Sequence, residues 1–74
     1  MTTELNANRI RANARSKRIR ANLQSHWKAL RWERDNHRRC SHPLTRRRIR
    51  ITIKHLELAV AQLYYDLELL RTIG

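Results

Sequence analysis

Apolar residues in the second half of the chain follow a heptad rhythm. They are separated alternately by four and three residues over three heptads. This spacing places them on one side of an α-helix and is typical of a helix that packs against another helix. The pattern predicts a helix over about residues 45–72, with a start signal at Thr45 or within 41–43 and an end signal at Gly74. The seam consists of Ile49, Ile53, Leu56, Val60, Leu63, Leu67 and Leu70.

The first half of the chain has a narrower apolar stripe. Apolar or small residues recur every three or four positions, and no Pro or Gly interrupts residues 2–40. This pattern predicts a helix over about residues 3–38. Residues 35–43 break the rhythm, and His42 precedes a proline, which disfavours helical dihedral angles, so we predict a turn at 39–44. The stripe consists of Ala12, Ser16, Ile19, Leu23, Trp27 and Leu30.

Two long helices joined by a short polar connection are expected to lie antiparallel. We therefore predict an all-α fold: an antiparallel two-helix hairpin with a coiled-coil-like seam, formed by residues 1–74 as a single domain. The apolar stripe thins toward the amino terminus, so residues 1–15 are expected to be a loose basic arm unless a partner orders them. Folding about residue 41 predicts the contacts across the seam: Leu30 with Ile49 and Ile53, Leu23 with Leu56 and Val60, and Ile19 with Leu63.

A second apolar set lies on the side of the second helix that faces away from the seam. Ile51, Leu58 and Tyr65 follow one another at intervals of seven residues. A hairpin of this size offsets little of an ordering cost of roughly 1.5 kcal/mol per residue. An exposed apolar strip usually marks an interface. We predict that these three residues form a protein interface covered by a second copy or by a larger protein, and we favour the homodimer.

The charge of the chain indicates a polyanionic partner. Seventeen basic residues, fourteen of them Arg, face six acidic ones, which gives a net charge of +11. Residues 1–50 hold fifteen of the basic and three of the acidic residues. Such a balance favours RNA, DNA or the acidic groove of another protein as partner. The flat guanidinium group of Arg can bind two phosphate or carboxylate oxygens at once, so the preference for Arg over Lys indicates recognition.

Other classes of protein fit the sequence less well. A single Cys excludes an intramolecular disulfide framework, and no run of 18 apolar residues is present, so we expect neither secretion nor a membrane partner. The expected location is the cytoplasm, or the host cell cytoplasm if a phage encodes the chain. His37, Cys40 and His42 are too few for a structural zinc site. No catalytic grouping can be assembled, so we expect no metal, no cofactor and no enzyme activity.

A basic five-residue sequence, Arg-Ile-Arg-Ala-Asn, occurs at 9–13 and again at 18–22. Nine residues advance a helix by about 900°, half a turn beyond two full turns, so the two copies occupy opposite faces. Ile10 and Ile19 therefore cannot both face one core. In a groove of RNA or DNA, arginines on both sides of such a helix would contact phosphates on both strands. The alternative is an accidental repeat on a solvated helix.

A second basic cluster lies at the start of the second helix. Cations at this position oppose the helix dipole, so they destabilise the helix unless an anion binds. With two arginines across the turn they are predicted to form a compact positive tip that binds phosphate or carboxylate. The six arginines are Arg38, Arg39, Arg46, Arg47, Arg48 and Arg50.

The segment Asn13–Leu30, NARSKRIRANLQSHWKAL, resembles the arginine-rich RNA-binding segment of the N antitermination proteins of lambdoid phages. In that family a short basic helix that ends with Trp-Lys-Ala binds a hairpin in the nascent transcript. The resemblance implies a stacking role for Trp27 on a loop base. It implies phosphate contacts by Arg15, Lys17, Arg18 and Arg20, with help from Gln24 and Lys28. Trp27 is also a candidate for the core, whereas Trp32 lies on another face and is the better candidate for an exposed aromatic contact.

The sequence thus predicts a small basic nucleic-acid-binding protein, RNA preferred, of the kind that regulates phage transcription and recruits host machinery. The alternative is a small phage-type inhibitor or adaptor, which sets Arg against the acidic or nucleic-acid-binding groove of a host enzyme and docks through the apolar helix face. The predicted nucleic-acid contacts are Arg9, Arg11, Arg15, Lys17, Arg18, Arg20, Lys28, Trp32, Arg38, Arg39, Arg46, Arg47, Arg48 and Arg50.

Overall fold

The computed structural model describes the backbone of residues 2–73 and the side chains of residues 6–72. Two helices, α1 (Thr2–Arg39) and α2 (Pro43–Ile73), pack against each other, and the described residues contain no strand. The hairpin measures 61 × 15 × 12 Å. The predicted all-α hairpin is therefore confirmed, and each helix end lies within two residues of its predicted position.

The second helix begins at the His42-Pro43 pair. Pro43 is the first helical residue, where its missing N–H group costs no hydrogen bond. The backbone N–H of Thr45 donates to Nδ1 of His42 at 3.5 Å, and the N–H of Arg46 donates to the His42 carbonyl at 2.9 Å. His42 thus caps the helix with both its ring and its carbonyl group. The predicted end signal, Gly74, lies outside the described residues.

The core is a single row of side chains between the helices. Leu30 is 1% exposed, and Leu23 and Val60 are nearly as well buried. The partly buried residues packed against them are Ile19, Ile53, Leu56, Leu63 and Leu67. All seven predicted seam positions of α2 are buried or half-buried, which confirms the heptad pattern. Except for Ile49, every residue of the predicted cross-seam pairs belongs to this cluster.

The predicted stripe on α1 is correct at five of its six positions and wrong at Trp27. This side chain is 42% exposed, whereas His26 is half-buried. The reason is the phase of the helix: positions 19, 23, 26 and 30 continue the spacing of four, three and four, so residue 27 falls at the edge of the row. Trp27 instead flanks the core.

One edge of the seam carries two polar contacts between the helices. Nε1 of Trp27 donates to the hydroxyl oxygen of Tyr64 at 3.3 Å. Further along, the Arg34 guanidinium lies 4.0 Å from a carboxylate oxygen of Glu57. Trp27 and Arg34 are seven residues apart on α1, as are Glu57 and Tyr64 on α2, so both contacts follow the same edge of the hairpin.

The amino-terminal arm is helical in this structure. Residues 6–15, which the sequence predicts to be loose without a partner, continue α1 toward its start at Thr2. Within this segment only Ala12 is half-buried, and the other nine side chains are exposed. The side chain of Leu5, a large apolar residue of the arm like Ile10, lies outside the described residues. The arm therefore rests on α2 through very few apolar contacts.

Candidate nucleic-acid interface

The side of α1 that faces away from α2 is exposed from Ile10 to Trp32. We call it the outer face; its residues recur at spacings of three, four or seven and therefore lie along one line of the helix. Two of the positions near its middle are alanines, so another surface can approach the helix backbone closely. The outer face consists of Ile10, Ala14, Lys17, Ala21, Lys28 and Trp32, all exposed.

Arginines border the outer face on both sides. The first flank consists of Arg11, Arg15 and Arg18. The second flank begins with Arg9 and Arg20 and continues toward the turn with Arg31, Arg34 and Arg38. Leu70 of α2 lies between the two flanks at the end of the hairpin away from the turn. It lines an open groove of about 590 Å³ with the first flank. It also lines a second groove, of about 350 Å³, with Arg9 and Arg20.

The structure places the two copies of the repeated sequence on different sides of α1, as predicted. Ile10 is 69% exposed, whereas Ile19 packs against the core. Arg9 and Arg20 consequently share one groove even though they belong to different copies. The half-turn offset therefore spreads the arginines around the helix.

Few of these cations are paired with acids. Among the side chains of residues 6–72, the ion pairs are Arg34–Glu57, Arg38–Asp35 and Arg71–Glu68, and all three lie on the exposed surface. The other fourteen of the seventeen basic side chains have no carboxylate of the described residues within 4.0 Å. Unpaired cations on both sides of one helix create a positive potential that attracts a polyanion.

An aromatic residue lies at the centre of the second flank. Trp27, Arg31, Arg34 and Arg38 follow one another at spacings of four, three and four, and they line an open groove of about 530 Å³ beside the seam. Ile53 of α2 forms part of its wall, together with Asp35 and His37 of α1. We call this cavity the aromatic groove.

Sequence reasoning missed Arg31, Arg34 and Tyr64 as members of this region. The two arginines lie on one helical line with Trp27 and Arg38. This line can be recognised in the sequence if Trp27 is assigned to the surface and not to the core. Tyr64 reaches Trp27 from the other helix, and only the register between the helices reveals that contact.

The six arginines predicted to form a compact tip all lie near the turn, and three of them line two different grooves. Arg38 pairs with Asp35 and lines the aromatic groove. Arg47 and Arg48 line a separate groove of about 390 Å³ with His42, Leu44 and Ile51. Consecutive residues of a helix point about 100° apart, so a run of three arginines spreads around the helix instead of converging.

The other predicted aromatic contact and the predicted protein interface are exposed. Trp32 is 64% exposed on the outer face. Ile51, Leu58 and Tyr65 are between 49% and 68% exposed on the side of α2 opposite the seam. Leu44, seven residues before Ile51 and 69% exposed, extends this strip, and the regular spacing of seven could have identified it from the sequence.

The remaining side-chain chemistry of the described residues is sparse. No three His, Cys, Asp or Glu residues among them are grouped so as to hold a metal ion. Cys40 is a free, half-buried thiol whose Sγ lies 3.7 Å from the His42 carbonyl oxygen. Neither described helix contains a stretch apolar enough to span a membrane. No protein-family model, curated protein or solved structure matches the chain.

Proposed function

We propose that this chain is a nucleic-acid-binding protein, with RNA as the preferred ligand, that grips phosphate with the two arginine flanks of α1. The observation that carries the proposal is the placement of unpaired arginines on both sides of an exposed helix face. A cationic surface needed only for solubility would be mixed in sign. Here the three arginines of the first flank make no ion pair with the described residues. Asp66 of α2 lines a groove with Arg15 and Arg18, but its carboxylate accepts a hydrogen bond from Gln62 instead.

The width of α1 matches the major groove of duplex DNA, so this dimension supports nucleic-acid binding in general, while the preference for RNA rests on other features. A helix with its side chains is about 10–12 Å wide, and the major groove of duplex DNA is about 12 Å wide. With α2 behind it, α1 can enter such a groove by its outer face. The two flanks then meet the phosphates of opposite strands, while Ala14 and Ala21 face the groove floor. Contacts to phosphate on both sides fix the position of the helix without reading the base sequence.

The preference for RNA rests on aromatic stacking and on the resemblance of Asn13–Leu30 to the phage antitermination segment. Proteins recognise RNA largely through unpaired bases that stack on aromatic side chains. Trp32 offers an exposed ring on the outer face. Trp27, the stacking residue that the resemblance implies, lines the aromatic groove, and its Nε1 donates a hydrogen bond to the hydroxyl oxygen of Tyr64. Regulation of transcription through bound RNA belongs to the same proposal.

A salt titration tests the proposal. Affinity for a hairpin RNA with an unpaired loop, for duplex RNA and for duplex DNA is measured at several salt concentrations, with the same chain. Affinity falls as salt rises, and each phosphate contact steepens the slope of log affinity against log salt by about 0.9 on a duplex and by about 0.7 on a single strand. We expect a steep slope on all three ligands and the tightest binding to the hairpin RNA.

Two variants with the same change of net charge separate specific contacts from net charge. Arg15→Ala with Arg18→Ala removes two cations of the first flank. Lys54→Glu lowers the net charge by the same two units at an exposed position of α2. Alanine and glutamate both favour helix, so both variants are expected to fold. The flank variant should lower the duplex slope by about 1.8, and the α2 variant should leave it nearly unchanged.

Three results would contradict the proposal. One is binding that varies little with salt. Another is an equal change of slope in both variants, which would mean that binding depends only on the net charge of the chain. The third is stoichiometric capture of one acidic host protein that survives nuclease treatment and depends on Arg15 and Arg18, which would establish the alternative of a protein inhibitor or adaptor. A third variant, with Arg46, Arg47 and Arg48 replaced by Ala, reports whether the arginines near the turn add phosphate contacts.

A further inference from the structure

The side of α2 opposite the seam carries an apolar line that the hairpin leaves uncovered. Leu44, Ile51, Leu58 and Tyr65 are each seven residues apart and between 49% and 69% exposed. Seven residues fall only about 20° short of two full turns, so the four side chains form one narrow strip about 32 Å long. We call it the α2 strip. A strip of this kind marks an interface, since only three of the described residues are buried.

The charges beside the α2 strip are unevenly distributed along the helix. One edge of the strip carries Arg47, Lys54, Ala61 and Glu68, again at intervals of seven, so it is positive near the turn and negative at the far end. The other edge carries Arg48, His55, Gln62 and Leu69. A partner that fits must therefore offer an acidic group beside Arg47 and a basic group beside Glu68.

We propose that the α2 strip binds a second copy of this chain in antiparallel orientation, with Leu58 on the two-fold axis. In a symmetric antiparallel pair, each edge of the helix meets the same edge of the second copy. Ile51 then packs against Tyr65 of the second copy, and Leu58 packs against Leu58. Arg47 meets Glu68 of the second copy, and this ion pair occurs twice. His55 meets Gln62, and Lys54 meets Ala61, so no like charges face each other.

The electrostatics reject the parallel alternative. In a symmetric parallel pair each edge of the helix meets the opposite edge of the second copy, so Arg47 would face Arg48 of the second copy and Glu68 would face Leu69. The like-charge pair of arginines would occur twice, and like charges directly opposite one another are destabilising. The arginine-rich turns of both hairpins would also be adjacent. In the antiparallel pair the turns lie at opposite ends. Glu68 is free to change partner, because its contact with Arg71 at 3.8 Å is on the exposed surface and contributes little.

The antiparallel dimer leaves the proposed nucleic-acid interface uncovered. The seam and the α2 strip lie on opposite sides of α2, so the order of helices across the dimer is α1, α2, α2 and α1. The outer face of each α1 therefore stays exposed on the outside of the assembly. The dimer does not depend on nucleic-acid binding, and either proposal can fail without the other.

The first experiment is the molecular mass of the full chain in solution, measured by sedimentation over a wide range of protein concentration. We expect a mass of twice 9.0 kDa for the native chain at high concentration. Leu58→Glu places two carboxylates against each other on the two-fold axis and should raise the dissociation constant at least tenfold. Ile10→Glu, a change of the same charge at an equally exposed Ile on α1, should leave it unchanged. Circular dichroism shows that each variant remains helical.

The second experiment tests the orientation by disulfide cross-linking in a Cys40→Ser background. Ile51→Cys and Tyr65→Cys should each fail to cross-link with itself, but a mixture of the two should cross-link efficiently. Arg47→Glu should weaken the dimer, and Glu68→Arg added to it should restore the affinity. Restoration by the second charge change would not follow from a merely structural role of either residue.

Several outcomes would overturn the inference. A mass of 9.0 kDa at every concentration means that a different molecule, or none, covers the strip. A dimer that survives Leu58→Glu forms through another surface. Faster cross-linking of Ile51→Cys with itself than with Tyr65→Cys would show a parallel dimer.

Discussion

Replacement of Leu30 by Ala should bring the hairpin close to unfolding. Leu30 is the most deeply buried of the described side chains, and the row of residues to which it belongs contains only two other buried members. Replacing a buried Leu by Ala typically costs about 2.7–5.0 kcal/mol. An open two-helix seam can partly close around the missing atoms, so we expect the lower end, about 3 kcal/mol.

The consequence of this loss follows from the small total stability. At about 0.05–0.15 kcal/mol per residue, a chain of 74 residues has a free energy of unfolding of about 4–11 kcal/mol. Because only three of the side chains in residues 6–72 are buried, the lower end is the appropriate value. Leu30→Ala would then retain about 1 kcal/mol, and roughly one molecule in six would be unfolded at 25 °C.

The assay is urea unfolding followed by the helical signal in circular dichroism, at one fixed low protein concentration because self-association would add stability. The matched control is Ile10→Ala, which truncates an exposed apolar side chain on the opposite side of the same helix. We expect the control to change the free energy of unfolding by less than about 0.5 kcal/mol. If the two variants unfold at the same urea concentration, the seam between the helices is not the source of stability and the packing described above is wrong.

Two further predictions concern polar groups near the seam. His37→Leu should raise the free energy of unfolding by about 1 kcal/mol in the same urea assay, because Nε2 of His37 is buried without a hydrogen-bond partner among the described residues. A loss of stability would contradict this prediction, because it would show that the ring makes a hydrogen bond that this structure does not contain. Glu57→Gln should lower the free energy of unfolding by less than about 1 kcal/mol, because the side chains of Glu57 and Arg34 are about half exposed. A larger loss at low salt would mean that this ion pair fixes the register between the helices.

The second helix could be predicted from the sequence almost completely. Its seam repeats Ile, Leu or Val at strict intervals of three and four, and all seven positions lie toward α1 in the structure. A heptad repeat of this length leaves only one face that can be buried. The strip of Ile51, Leu58 and Tyr65 follows from the same periodicity, because the residues that remain apolar off the seam must be exposed.

The first helix was harder to predict because its stripe is narrow and chemically mixed. Between Leu23 and Leu30 the row can pass through residue 26 or residue 27, and hydrophobicity favours Trp27 over His26. The structure selects His26 because the phase of the helix, set by Ile19, Leu23 and Leu30, decides which position faces α2. The position of a residue around the helix, and not its hydrophobicity, thus decides whether Trp27 or His26 faces α2.

The candidate site shows the same limit. The flank arginines of the repeated sequence could be predicted from angular position alone, since that depends only on their own helix. The aromatic groove required knowledge of the register between the helices, because Tyr64 and Ile53 belong to α2. The compact tip was predicted from closeness in sequence, which does not determine whether neighbouring side chains converge.

The two helices of the hairpin divide stability and recognition between them. The α2 seam supplies most of the apolar core, so α1 needs only a narrow row of contacts. More than half of the circumference of α1 stays exposed, with arginines on both sides of its outer face. This arrangement has a cost, because arginines three or four residues apart, such as Arg11, Arg15 and Arg18, repel each other along the helix. A polyanion bound along the flanks would remove that repulsion and stabilise the same helix that it contacts. Ligand binding and helix stability of α1 are therefore expected to be coupled, most strongly in residues 6–15, where few contacts with α2 are available to hold the helix in place.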